Sequence, residues 1–144
     1  MISKKKAIYA DIVETIKRIK SVHIGSVTTK PVEIIKLART SFPVVQVNID
    51  GETSEDIATG IRLATLNITT NVYVQAKSKG SDVHDQLSDI LEIIEEALEV
   101  DRTRNKKALL TEMTEVSDIE EHEYPIVSQQ QSYVVQYYYD RGNR

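Results

Sequence analysis

Three histidines, His23, His84 and His122, are the first candidates for chemistry, and none stands at a metal-ligand spacing from another. His84 beside Asp85, and His122 between Glu121 and Glu123, offer zinc ligands by type. Adjacent residues on one element seldom point at one ion, so no metal site is expected. Carboxylates are abundant, but acid–base catalysis needs one carboxyl raised in pKa by an apolar pocket. These acids fall in polar stretches. The five glycines are scattered, with no Gly-x-Gly-x-x-Gly and no phosphate loop. No Gly-x-Ser-x-Gly element is present. The lack of cysteine removes thiolate chemistry and disulfides. The expectation is a protein that is not an enzyme, with no catalytic residue, cofactor or metal.

The remaining features with chemical content are charge and tyrosine. Residues 1–40 carry nine basic groups against three acids, a net +6, and residues 81–124 carry four bases against fourteen acids, a net −10. Opposite charge on separate segments suits head-to-tail self-association, or simply two solvated faces of different sign. The basic set includes Lys17, Arg18 and Lys20. The acidic set includes Glu92, Glu95 and Glu96, with almost no basic residues at helical spacing to pair with them. Glu52, Glu55 and Asp56 sit in an acidic, hydroxyl-rich stretch after Asp50-Gly51, read as a loop that is either simply solvated or open to a partner. Four of the seven tyrosines lie between residues 133 and 139. They lack the neighbouring lysine and arginine of a base-stacking platform. Tyr137 and Tyr139 fit either a subunit contact or the packing of a sheet face. The whole chain's net charge of −4 argues against a uniformly basic nucleic-acid binder.

These residues need elements to position them, and the hydrophobic periods supply the elements. Ile8, Ile12, Ile16 and Ile19 recur at helical spacing, with Ser3 as N-cap, predicting a helix over residues 4–20. Residues 22–28 predict a short strand broken by Gly25, and residues 31–39 a short helix opened by Pro31. Residues 42–49 alternate as a strand, and the loop from Asp50 to Gly60 is too long for a two-residue hairpin. Residues 61–77 predict the longest strand. Ala64, Leu66, Ile68, Val72 and Val74 lie on one face, and Thr65, Asn67, Thr69, Asn71 and Gln75 on the other. That uncharged face fits a covering subunit, a channel lining or an ordinary exposed surface. A helix over residues 82–100 follows, N-capped by Ser81, with Leu87, Ile90, Leu91, Ile94 and Leu98 in its stripe. A strand over 108–116 puts Leu110 and Val116 on one side. Residues 117–124 are irregular and acidic, and 126–140 form the last strand.

The chain's 144 residues amount to one domain with room for a core. The element order predicts an α+β, two-layer sandwich: a mostly antiparallel four- to five-stranded sheet with two main helices on one face. No signal peptide or membrane-length apolar run is visible.

Three local features carry a family resemblance. They are Phe42-Pro43-Val44-Val45-Gln46-Val47 after a short first strand, the long polar/apolar strand leading into the acidic helix, and the closing strand Tyr133-Val134-Val135-Gln136-Tyr137-Tyr138-Tyr139-Asp140-Arg141. With the size and element order, they resemble the tail terminator and tail-completion proteins of long-tailed bacteriophages. The resemblance implies a structural virion protein assembled in the host cytoplasm. In that family six subunits form a ring that caps the tail tube, stops its growth and meets a head-completion or connector protein. DNA passes through such a ring without sequence-specific binding, and no membrane is involved. The family carries no shared catalytic residues, and the acidic segment 117–124 departs from its shorter members. The alternatives are a neck ring on the portal side and a small cytoplasmic enzyme or ligand-binding domain.

Overall fold

The computed structural model describes residues 3–30, 37, 39–76, 83–122 and 125–142. The first helix, α1 (Lys4–Lys17), begins where expected, with the Ser3 hydroxyl accepting from the Lys6 amide at 3.2 Å. Ile8, Ile12, Val13 and Ile16 are its buried stripe. It ends one turn early, leaving Ile19 on the following turn, packed against the core. Strand β1 (Ser26–Thr28) runs parallel to β2 (Val44–Ala58). Gly25 is required just before β1, because a Cβ there would lie 2.4 Å from the Ser41 carbonyl oxygen. Of the short helix expected at residues 31–39, residues 31–36 and 38 lie outside the described residues. A 3₁₀ turn follows at Arg39–Ser41.

The stretch from Asp50 to Gly60 is not a loop. β2 continues through it to Ala58 and turns at Thr59-Gly60 into β3 (Ile61–Gln75), with Gly60 at φ +78°. Each strand has 15 residues. The alternation is hidden in the sequence because both faces of this half of β2 are polar. A bulge between Ile49 and Gly51 also shifts its phase, turning Glu52, Ser54 and Asp56 toward the helix side of the sheet.

Helix α2 (His84–Val100) buries Leu87, Ile90, Leu91, Ile94 and Leu98, as its period predicts. The expected cap Ser81, and Asp82, lie outside the described residues. Strand β4 (Leu110–Val116) carries a bulge between Met113 and Glu115. Leu110 and Val116 therefore face opposite sides, correcting the expectation that they share one. Residues 117–124 are not wholly irregular, since β5 (Glu120–Glu121) pairs with β6 (Ile126–Asp140). The sheet is six-stranded, one more than the upper expectation, in the order β1-β2-β3-β6-β4 with β5 beside β6.

Both helices pack on one face, making the expected two-layer α+β sandwich. They run antiparallel: Asp11 of α1 lies at the C-terminal end of α2, while Val22 and His23 line a hollow with Gln86 and Asp89 near its start. The core joins both helix stripes to Val45, Val47, Ala64, Leu66, Ile68, Val72, Val74, Tyr133, Val135 and Tyr137. Thr70 also faces this core, fully buried, with no hydrogen-bond partner for its hydroxyl among the described residues. A second small cluster of Phe42, Val44 and Ile126, with Leu37 and Tyr73, closes one end of the opposite sheet face.

Candidate interaction surfaces

Tyr137 and Tyr139 are buried within the subunit, which corrects their assignment to a subunit contact. They alternate toward the helix side of β6, where Tyr137 pairs with the small Ala64. The Tyr137 hydroxyl donates to Glu52 Oε2 at 2.7 Å, and the Tyr139 hydroxyl contacts Ser54 Oγ at 3.1 Å. Each reaches across β3 to β2. Glu52 and Tyr137, 85 residues apart in sequence, thus belong to one internal network. Asp56 extends it, held between Arg62 Nε and Arg141 Nη1 at 3.1 Å each. Glu55 stays on the other face, opposite Leu63, and is exposed. Tyr138, between the two buried tyrosines, is the one turned out, 43% exposed.

Lys17, Arg18 and Lys20 are all exposed at the end of α1. Lys17 sits 3.9 Å from Glu14 on its own helix. Arg18 and Glu96 stand on opposite walls of a groove between the helices, about 440 Å³, floored by Ile19, Ile93 and Ala97. Glu92 and Glu96 are exposed, and Glu95 is half-buried. None of the three has an ion-pair partner among the described residues. Glu112 and Glu115 on β4, with Asp118, Glu120 and Glu121, extend this acidic surface around the β4–β5 edge.

The opposite sheet face is the other broad surface. From Leu63 to Gln75 on β3 and from Ile126 to Tyr138 on β6, no residue on it is charged. One row reads Gln46, Asn71, Gln130 across three strands, and the next Asn48, Thr69, Ser132. No helix among the described residues covers it.

One structural anchor has no signal in the sequence. Arg104 stands in what reads as a basic connector, yet it is 1% exposed. Its guanidinium donates to the carbonyls of Leu98 and Asp101, closing the C-terminus of α2, and pairs with Asp11 Oδ2 of α1 at 3.1 Å. Burial pulls its pKa down, while Asp11 and Asp101 push it back. Arg104, Asn105 and Lys106 all adopt positive φ, at 49°, 58° and 67°. Three such non-glycine residues in a row are strained and persist only when held. The Asp101 carboxylate holds them, accepting from the Thr103 hydroxyl at 2.7 Å and from the amides of Asn105 and Thr103 at 2.7 and 3.1 Å; these bonds, the hydroxyl's foremost, also lower its own pKa. Gln131 makes a comparable inner link, donating to the Leu91 carbonyl at 3.1 Å and accepting from Tyr133 at 2.8 Å. Burial, and then Glu95 and Glu99, push the Tyr133 pKa well above the tyrosine range.

The histidines belong to separate segments, His23 before β1, His84 at the start of α2 and His122 after β5. His122 bonds Ser128 Oγ at 2.7 Å and leans on the Tyr73 ring, 5.6 Å between centroids. Among the described residues no group of three or more potential metal ligands forms. No described helix is long and apolar enough to cross a membrane. No protein-family model matches the chain, and no curated protein matches its sequence.

Proposed function

We propose that this protein is a ring-forming virion assembly subunit that works as a phage tail terminator, capping the tail tube and offering a surface to a head-completion or connector protein. The observation that carries the reading is the carboxylate surface of α2, which has no ion-pair partner among the described residues. Like charges at helical spacing destabilise a lone helix by a few tenths of a kcal/mol per pair. A basic surface on another copy relieves that repulsion. The cations of α1 and the acids of α2 are different surface patches, so a contact between them is heterologous and closes into a ring when the rotation per subunit is right. The uncharged β3–β6 centre of the opposite sheet face supports the same reading, because neither a stacked ring nor passing DNA meets a charge on those two strands. The resemblance in size, element order and the Phe42–Val47 and Tyr133–Arg141 phrases supplies the tail role.

Light scattering on Glu92→Lys/Glu95→Lys/Glu96→Lys tests the contact. The mass is expected to fall from a ring of subunits to that of a single 16.3 kDa chain. Unchanged assembly would sink it. Binding to purified tail tubes, and not to portal-bearing heads, tests the position.

A further inference from the structure

Among the described residues, five of the six exposed large apolar side chains lie at one pole of the molecule. Ile57 and Ile61 are on the β2–β3 hairpin tip, Tyr138 is beside it on β6, and Val100 and Leu109 flank the connection from α2 to β4. Val100 is 84% exposed. The fold brings these segments together. Ile61 pairs with Asp140 and Leu63 with Tyr138, and the Leu109 amide bonds the Gln136 carbonyl at 2.7 Å. The start of α1 joins them, its Lys4 Nζ donating to the Tyr138 carbonyl at 2.8 Å.

The same pole is cationic. Lys4, Lys5 and Lys6 come from α1, and Arg102, Lys106 and Lys107 from the connection about a hundred residues later; the Arg104–Asp11 pair ties the two segments together. Two of the acids there are occupied. Asp56 is held by Arg62 and Arg141, and Asp101 is folded into its own loop. Glu55, Glu99 and Asp140 complete the set, exposed and outnumbered by the six cations.

The sixth exposed apolar residue, Val116, 43% exposed, sits elsewhere, at the end of β4. Its neighbours are Glu115, Asp118, Glu120 and Glu121, without ion-pair partners among the described residues. One surface thus has apolar groups ringed by cations, and the other an apolar group ringed by carboxylates.

We propose that the cationic pole of one copy docks on the acidic β4–β5 flank of the next. This rests on the self-associating reading above and names the surfaces that carry it. The pole is a better donor than Lys17, Arg18 and Lys20 for two reasons. Those three stand beside Glu14 and Glu96 of their own chain, and of the exposed large apolar groups among the described residues only Val100 stands near them, in the groove that Arg18 lines. Surface ion pairs alone stabilise a contact only weakly. The pole adds apolar area that docking removes from water, and the charges set orientation. Nucleic acid is a poorer occupant, because it gives Ile57, Ile61, Val100 and Leu109 nothing apolar to cover them.

The test uses two full-length variants, Lys6→Glu/Arg102→Glu/Lys106→Glu and Asp118→Lys/Glu120→Lys/Glu121→Lys, each checked for native circular dichroism. Their masses are measured by analytical ultracentrifugation alone and as an equimolar mixture. Each variant alone is expected to lose self-association by at least a hundredfold. The mixture is expected to recover it, since each acidic pole then meets a basic flank and each basic pole an acidic flank. Variants that assemble like the wild type, or a mixture that stays at 16.3 kDa, overturn the pole contact and leave the ring reading standing. A wild-type chain that is monomeric at every concentration overturns both.

Discussion

Arg104 shows how one side chain can hold several elements. It satisfies two carbonyls at the end of α2, faces the carboxylate of α1, and fixes a turn of three left-handed residues. Removing one partner of a buried pair costs about 3–5 kcal/mol when the other is left buried. Asp11 keeps some solvent access, at 26%, so the cost falls to the bottom of that range or somewhat below it. Arg104→Met, similar in length and apolar, is expected to lose about 2–3 kcal/mol in urea unfolding. A loss under about 1 kcal/mol would show that the turn holds itself. Nothing in the local sequence distinguishes Arg104 from Arg102, two positions earlier, whose exposed side chain donates to the Thr111 carbonyl. The difference lies in which one the turn points inward. Tyr137 and Tyr139 teach the same lesson. Their alternation was legible, and the face it selects was not.

At the scale of elements, α2 is both the most readable part of the chain and the least comfortable. Its apolar stripe is complete, and its outer face carries acids to the last turn with no basic residue there. Carboxylates near a helix C-terminus also oppose the helix dipole. Glu92→Gln/Glu96→Gln is therefore expected to raise the thermal midpoint of the monomer, through a gain of about 0.5–1 kcal/mol. The same variant is expected to weaken self-association, so heating and ultracentrifugation on one sample should move in opposite directions. A midpoint that does not rise would mean the acids are satisfied within the subunit. The β2–β3 hairpin is the opposite case. Its far half was read as a loop because Glu52, Thr53, Ser54, Glu55 and Asp56 show no apolar alternation. It is a strand because β3 pairs with it residue by residue and the tyrosines of β6 bond its inner side chains.

At the scale of the whole molecule, charge is arranged as surfaces that no single segment contains. The cationic pole joins the start of α1 to a connection about a hundred residues later, and the acidic flank joins β4, β5 and α2. Association that depends on such surfaces is screened by salt, with a Debye length of about 10 Å at 0.1 M and about 3 Å at 1 M. The dissociation constant for self-association is expected to rise at least tenfold between about 0.05 M and 0.5 M sodium chloride. The monomer's unfolding midpoint should hardly change. Sedimentation that is indifferent to salt would assign the contact to the apolar residues alone.

By itself the sequence determined the two amphipathic helices, the long alternating strands, the α+β layering and the absence of the common catalytic motifs. Those are local or periodic properties, written in neighbouring residues through the helical and strand periods. Only the tertiary structure decided which tyrosines are internal, that Asp50 to Ala58 pairs as a strand, that Arg104 is a core residue, and that charges remote in sequence share a pole. Each depends on strand register, on a bulge that shifts the phase of a strand, or on the antiparallel crossing of the helices. Such non-local geometry brings residues together that are tens of positions apart, and no window along the chain contains it.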